Sequence, residues 1–329
     1  MNTFVPLFTV AGMKVTAYAV GITLAAAAAL ILLWRQCAKM KLRADTAGIA
    51  ALLILPLGLL CARFFNCLVQ INYYLYAWGG LEATLRLWNG GYSLWGVLGG
   101  TVLAAVIAAR ITWQKASALL DACAPSMALF AVLERFAEYF DDRIGYGIDV
   151  EIPFFQRLPF ARQIDGFWSL AVCGLECLAA LVILIVLLRK QRLAGHTIRL
   201  FFVLYCACQV FLESQRRDGF PRWLFVKVYQ LAAAVVAACL VIEAVAHWAL
   251  NRSNNKMKVA NLIALLAGFA LFVGGVVAME FAFDGKILVT VPEWCLCLFS
   301  ALCSIGIGVT AYWIIFKSGA LSAGDSVKA

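Results

Sequence analysis

Charged side chains are scarce within the long apolar runs of this chain, and those present gather. Glu134, Arg135 and Glu138 lie toward the end of one run, and Arg63 lies toward the end of another. Glu213 ends a third and is followed by Arg216, Arg217 and Arg222, while Tyr18 opens the first. Ionisable groups inside apolar spans are costly and point to function. Arg135 and Glu138 are three residues apart, so they share a helix face. Arg63 and Arg135 come from different runs, and each needs an anion. Two kinds of anion fit: a protein carboxylate (Glu138 or Glu213 for Arg63), or a phosphate whose oxygens match the planar guanidinium fork. Arg216, Arg217 and Arg222 suit either phosphate binding or helix-end snorkelling. Glu176, in the middle of a fifth run, either pairs with another span or stays neutral. Only two histidines occur, His196 and His247, and neither falls near the cluster. Acid–base chemistry there would fall to Glu138, Asp141, Glu213 or a tyrosine. The 12 cysteines mostly sit inside apolar runs as small hydrophobes, without zinc-type spacing, so no metal and no cofactor is expected.

The elements that position these residues follow from composition. Of 329 residues, 64% are hydrophobic and 14% charged, with a mean hydropathy of +0.90. A soluble protein of this size needs far more polar surface, so the bilayer is the solvent for much of the chain. Nine runs are long enough to cross it: Val15–Trp34, Ala47–Phe65, Tyr92–Ala109, Ala116–Phe140, Phe167–Leu188, Ile198–Glu213, Leu224–Leu250, Val259–Phe281 and Trp294–Phe316. The expected fold is an all-α polytopic membrane protein of about nine transmembrane helices. The first run is about 20 residues long and ends in a basic cluster, which reads as a transmembrane helix rather than a signal core.

The net charge of +9 reflects loop bias, not nucleic acid. Segments 35–43, 110–115, 189–199, 252–258 and 317–328 hold 15 of the 27 Lys and Arg. These should be cytoplasmic, which puts the N-terminus outside, the C-terminus inside and the charged cluster at one outer boundary. That arrangement counts against a transporter, whose charges line a midplane path. Glu243 and His247 near the inner end of the seventh run read as snorkelling residues. Two longer outer connections, 66–91 and 141–166, carry Tyr73, Tyr74, Tyr76 and Trp78, and Phe154, Phe155 and Phe160. They suit segments lying in the interface or ordinary loops. Residues 1–250 form a seven-span domain; 251–329 form an appended two-span hairpin and short tail.

The stretch Trp88-Asn89-Gly90-Gly91 before the third run is distinctive. Paired glycines let backbone approach another group closely. Gly96, Gly99 and Gly100 would let that helix pack tightly.

At these residues the chain resembles the prolipoprotein diacylglyceryl transferases over about residues 10–248. Trp88-Asn89-Gly90-Gly91 resembles that family's W-[DN]-G-G entry. Tyr18, Arg63, Arg135 and Gln230 stand where the family has a tyrosine, two arginines and a glutamine. Glu213 and Arg216 match its R-x-x-x-E-x-x-R ending, and Gly147 is a candidate for its closing glycine. The resemblance implies transfer of a diacylglyceryl group from phosphatidylglycerol to the lipobox cysteine of preprolipoproteins, in the bacterial plasma membrane. It makes Arg135, Glu213 and Tyr18 candidates for catalysis, with Glu138 beside them as a carboxylate of this chain's own, and Arg63, Asn89, Gly90, Gly91, Arg216 and Gly147 candidates for substrate binding. Departures are Trp95 for a histidine or tyrosine, Glu138 and Asp141 for asparagines, Gln209 for an arginine, and Glu134-Arg135-Phe136-Ala137 for G-R-x-G. They leave room for a relative that binds lipid or lipoprotein without transfer.

Overall fold

The computed structural model describes residues 7–10, 13–76, 80, 82–86, 90–164, 166–189, 195–217, 219, 222–223, 226–250, 259–283, and 295, 299–300 and 302–308. The chain forms two compact units, Met1–Ile144 and Gly145–Ala329.

The first unit opens with an antiparallel hairpin, β1 (Phe8–Val10) and β2 (Met13–Val15). Helix α1 (Ala17–Lys39) then starts at Thr16, whose hydroxyl accepts from the Ala19 N–H at 3.2 Å and satisfies one orphan donor of the first turn. Helix α2 (Ala44–Val69) extends beyond the expected span, leaving Arg63 six residues from its end. Two short helices, α3 (Ile71–Tyr76) and α4 (Glu82–Leu85), occupy the connection to α5 (Leu94–Ile111). Helix α6 (Ala116–Ala137) passes into a 3-10 turn at Glu138–Phe140.

Small residues set the packing here. α2 packs on α5, and α1 and α5 pack on α6. A Cβ at Gly96 would collide with the Ala62 backbone, and one at Gly100 would lie 2.6 Å from the Leu57 carbonyl. Backbone therefore lies against backbone, as small residues at four-residue spacing allow. Gly99 meets nothing within 4 Å and takes no part. On the other side, a Cβ at Gly21 would lie 2.7 Å from that of Ala137, which brings the second turn of α1 close to the end of α6.

The second unit begins with strand β3 (Tyr146–Asp149), a short helix α7 (Pro153–Gln156), and strands β4 (Ala161–Ile164) and β5 (Phe167–Ala171). The strands form an antiparallel sheet in the order β3-β5-β4. The expected helix Phe167–Leu188 is thus corrected: its first five residues are β5, because their polar groups pair with β4 (Ala161 opposite Leu170, Ile164 opposite Phe167). Helix α8 (Val172–Arg189) continues directly from β5. Helix α9 (His196–Gln215) follows, then a small hairpin of β6 (Arg222–Trp223) and β7 (Val226–Lys227), α10 (Val228–Leu250) and α11 (Val259–Phe283). α9 is the centre of this unit; α8, α10 and α11 pack on it. Arg199 and Glu243 join α9 to α10 at 2.5 Å, which gives Glu243 an ion-pair partner.

Six helices (α1, α2, α5, α6 with its terminal turn, α8 and α9) are long and apolar enough to cross a membrane among the described residues. The ninth expected span, Trp294–Phe316, lies largely outside them, as do Trp88, Asn89 and the side chain of His247.

Candidate functional site

Arg63 organises the connection between α2 and α5. It is buried, and every nitrogen of its guanidinium is engaged. Nε donates to the Thr84 carbonyl at 3.1 Å. Nη1 donates to the Tyr74 hydroxyl at 2.9 Å, to the Gly91 carbonyl at 3.2 Å and to the Gly90 carbonyl. Nη2 donates to the Ala83 and Arg86 carbonyls at 2.9 and 3.3 Å. The guanidinium also lies over the Tyr74 ring, 5.1 Å from its centroid, a cation–π contact. The hydrogen bonds described for Arg63 thus run to backbone carbonyls and a phenol, and to neither Glu138 nor Glu213.

The glycine pair fits around this group. Gly90 and Gly91 both have positive φ, +75° and +76°, where an L side chain is strained. A Cβ on Gly91 would lie 2.8 Å from Asn66 Nδ2 and the Tyr74 hydroxyl and 2.9 Å from Arg63 Nη1; at Gly90 nothing lies within 4 Å. Gly91 is thus required twice over, by conformation and by contact. Burial pushes the Tyr74 hydroxyl above the ordinary tyrosine range, against the pull of Arg63, so it stays protonated. Burial also raises Tyr92.

A second cluster forms where α6 ends. Arg135 Nη1 is paired with Glu138, and its Nε lies 3.5 Å from Glu134. All three are buried. Asp141 is also buried; its carboxylate takes a two-pronged grip from Arg143 (2.9 and 2.7 Å), which projects outward. The charges of Glu134, Glu138, Arg135 and Asp141 all act on the Tyr18 hydroxyl, which the Gly21–Ala137 contact brings close. The structure therefore gathers Tyr18, Arg135 and Glu138, and adds Glu134 and Asp141.

The third cluster lies within the second unit. Arg216 is 1% exposed and Glu213 fully buried. Arg216 Nη1 meets Glu176 at 2.6 Å, so Glu176 does pair with another element. Gln209 Nε2 donates to Glu176 at 2.7 Å and to Glu213 at 3.1 Å, bridging two carboxylates with a neutral amide. Gln230 donates to the Val210 carbonyl at 3.2 Å. Gly147 pairs with Arg216 across an isolated antiparallel bridge. A Cβ there would lie 2.5 Å from Val172 Cγ2 and 2.6 Å from the Gln215 carbonyl, so close approach explains the glycine.

Lys227 went unnoticed in the sequence. It is buried, and its ammonium donates to the Glu213 carbonyl at 2.7 Å and to the Arg216 carbonyl. The available signal was a lysine enclosed by Phe225-Val226 and Val228-Tyr229, where the expected topology disfavours basic residues. Among the described residues, no three of His, Cys, Asp and Glu assemble as metal ligands would.

A family model described as prolipoprotein diacylglyceryl transferase matches residues 6–250. Curated proteins similar to the chain bear the name phosphatidylglycerol–prolipoprotein diacylglyceryl transferase. One from Frankia alni is 28% identical over 240 residues, 69% of this chain, and the chain spans 61% of that relative's length. One from Bacillus licheniformis is 26% identical over 223 residues, 64% of this chain and 81% of the relative. One from Mycobacterium tuberculosis is 32% identical over 118 residues, 36% of this chain and 25% of the relative.

Proposed function

Because the chain belongs to the prolipoprotein diacylglyceryl transferase family, we propose that it moves a diacylglyceryl group from phosphatidylglycerol to the lipobox cysteine of preprolipoproteins. The cysteine sulfur bonds to the glyceryl carbon that carried the phosphate ester. That carbon–oxygen bond breaks, glycerol 1-phosphate leaves with the electron pair, and the thiol proton passes to a base. The reaction takes place at the outer leaflet of the bacterial plasma membrane. In this reading residues 1–250 cross the membrane seven times and 251–329 add two spans, with the N-terminus outside and the C-terminus in the cytoplasm.

The observation that carries the reading is Arg135, buried beside Glu134 and Glu138 and sharing its surroundings with Tyr18. A departing phosphate needs preorganised positive charge in a dry site. A thiol reacts as thiolate, so a base and a cation both help. Arg135 takes the phosphate; Glu138 or Glu213 orients the cations or accepts the thiol proton; Tyr18 contributes its hydroxyl. Arg216 and Gly147 serve substrate binding in the second unit. Gly90 and Gly91 line the headgroup, Asn89 is a further substrate-binding residue, and Arg63 holds the glycine pair through the two carbonyls it binds.

A second reading has its own support. Arg135 and Arg216 each already face a protein carboxylate, which suits a relative that binds lipid or lipoprotein without transfer. Expression in cells depleted of their own transferase, with the mass of a model lipoprotein as readout, separates the two. Added diacylglyceryl mass that Arg135→Ala abolishes supports the enzyme. No added mass, despite full membrane expression, refutes it; activity that survives Arg135→Ala refutes the assignment of the site.

A further inference from the structure

Lysine is almost never fully buried unless it is paired, yet Lys227 is 2% exposed. It sits on β7, immediately before α10. Its ammonium bonds the carbonyls of Glu213 and Arg216, at the end of α9, where unsatisfied carbonyls concentrate negative charge. The Arg216 N–H itself donates to the Glu213 carbonyl at 3.3 Å. Lys227 thus clamps both ends of the turn from which the Glu213 and Arg216 side chains leave. The bridge above that turn, Gln209, joins two buried carboxylates but carries no charge. Arg216 brings its charge to the Glu176 carboxylate, and Lys227 brings its charge to the main chain at Glu213 and Arg216.

We propose that Lys227 is a positioning residue of the transfer site: it supplies the positive charge that the Gln209 bridge lacks and fixes the turn carrying Glu213 and Arg216. This rests on the function proposed above. It leads to a specific expectation, that charge can be moved from position 227 to position 209.

Lys227→Gln keeps hydrogen-bond donors and removes the charge. Lys227→Gln combined with Gln209→Arg returns the charge at a position whose side chain already reaches Glu213. Each full-length variant is purified in detergent for its thermal midpoint, and assayed in transferase-depleted membranes for transfer to a model lipoprotein. The single variant should lose at least about tenfold in transfer, the scale of one charged hydrogen bond, and should melt earlier. The double variant should recover most of both. Unchanged transfer in the single variant overturns the proposal, even with a lowered midpoint, since Lys227 is then only a helix-end cap. A double variant as impaired as the single also overturns it. If the wild-type chain transfers nothing, the proposed function fails, and the midpoints alone still decide whether charge at 209 replaces charge at 227.

Discussion

Replacing Gly90 and Gly91 separately by alanine tests the account of the α2–α5 connection. Both residues have φ near +75°, so each alanine pays a left-handed penalty of about 1–2 kcal/mol. At Gly90 nothing else is added, because a Cβ there meets no atom within 4 Å. At Gly91 the Cβ would lie 2.8–2.9 Å from Asn66 Nδ2, the Tyr74 hydroxyl and Arg63 Nη1. These three groups hydrogen-bond one another, Arg63 to Tyr74 at 2.9 Å and Asn66 to Tyr74 at 3.1 Å, so giving way breaks at least one bond. A buried donor left without its acceptor costs roughly 1–3 kcal/mol. Gly91→Ala should therefore destabilise the connection by about 2–5 kcal/mol and Gly90→Ala by about 1–2. At about 1.4 kcal/mol per decade, the difference is roughly five- to 150-fold in local opening. Amide hydrogen exchange reads it directly. The Ser93 N–H, bonded to the Ala62 carbonyl at 3.2 Å, is the reporter, measured in detergent micelles. Equal acceleration in the two variants would refute the steric part of the argument; no acceleration in either would refute the whole.

Two further outcomes follow from the geometry. Arg216→Met and Glu176→Leu should each cost about 3–5 kcal/mol of stability by stranding a buried charge, while the double variant should fall well short of the sum; additive losses by denaturant titration would mean the 2.6 Å pair carries no coupling. Because the folded-state value of Tyr74 is raised above the usual 10.0, its contribution should be fully present below about pH 10 and lost as pH rises through the raised value. Melting across that window should show a larger alkaline loss in wild type than in Tyr74→Phe, and identical losses would count against the buried phenol.

Rare local signals were legible in the sequence: an arginine and a glutamate three apart in an apolar run, a Gly-Gly pair, an isolated Glu176. They located the clusters because each is costly wherever it falls. The identity of the partners was not legible. Arg63 was expected to need an anion, yet carbonyls gathered from positions 83–91 serve it, and no spacing rule foretells that loop's path. The sheet at 146–171 was obscured because its last strand merges into an apolar helix without a turn residue between them. Lys227 stands out as a lysine among apolar neighbours, but its partners, the carbonyls at the end of α9, are far from it in sequence.

That merger of strand and helix has a mechanical consequence. Glu176 lies in the second turn of α8, which grows straight out of β5. Arg216 is tied at its backbone to Gly147 on β3, the strand beside β5. The two halves of the ion pair thus hang from adjacent strands of one sheet, like the arms of a pair of tongs joined at the pivot. A change in the twist of that sheet would therefore alter the gap between guanidinium and carboxylate.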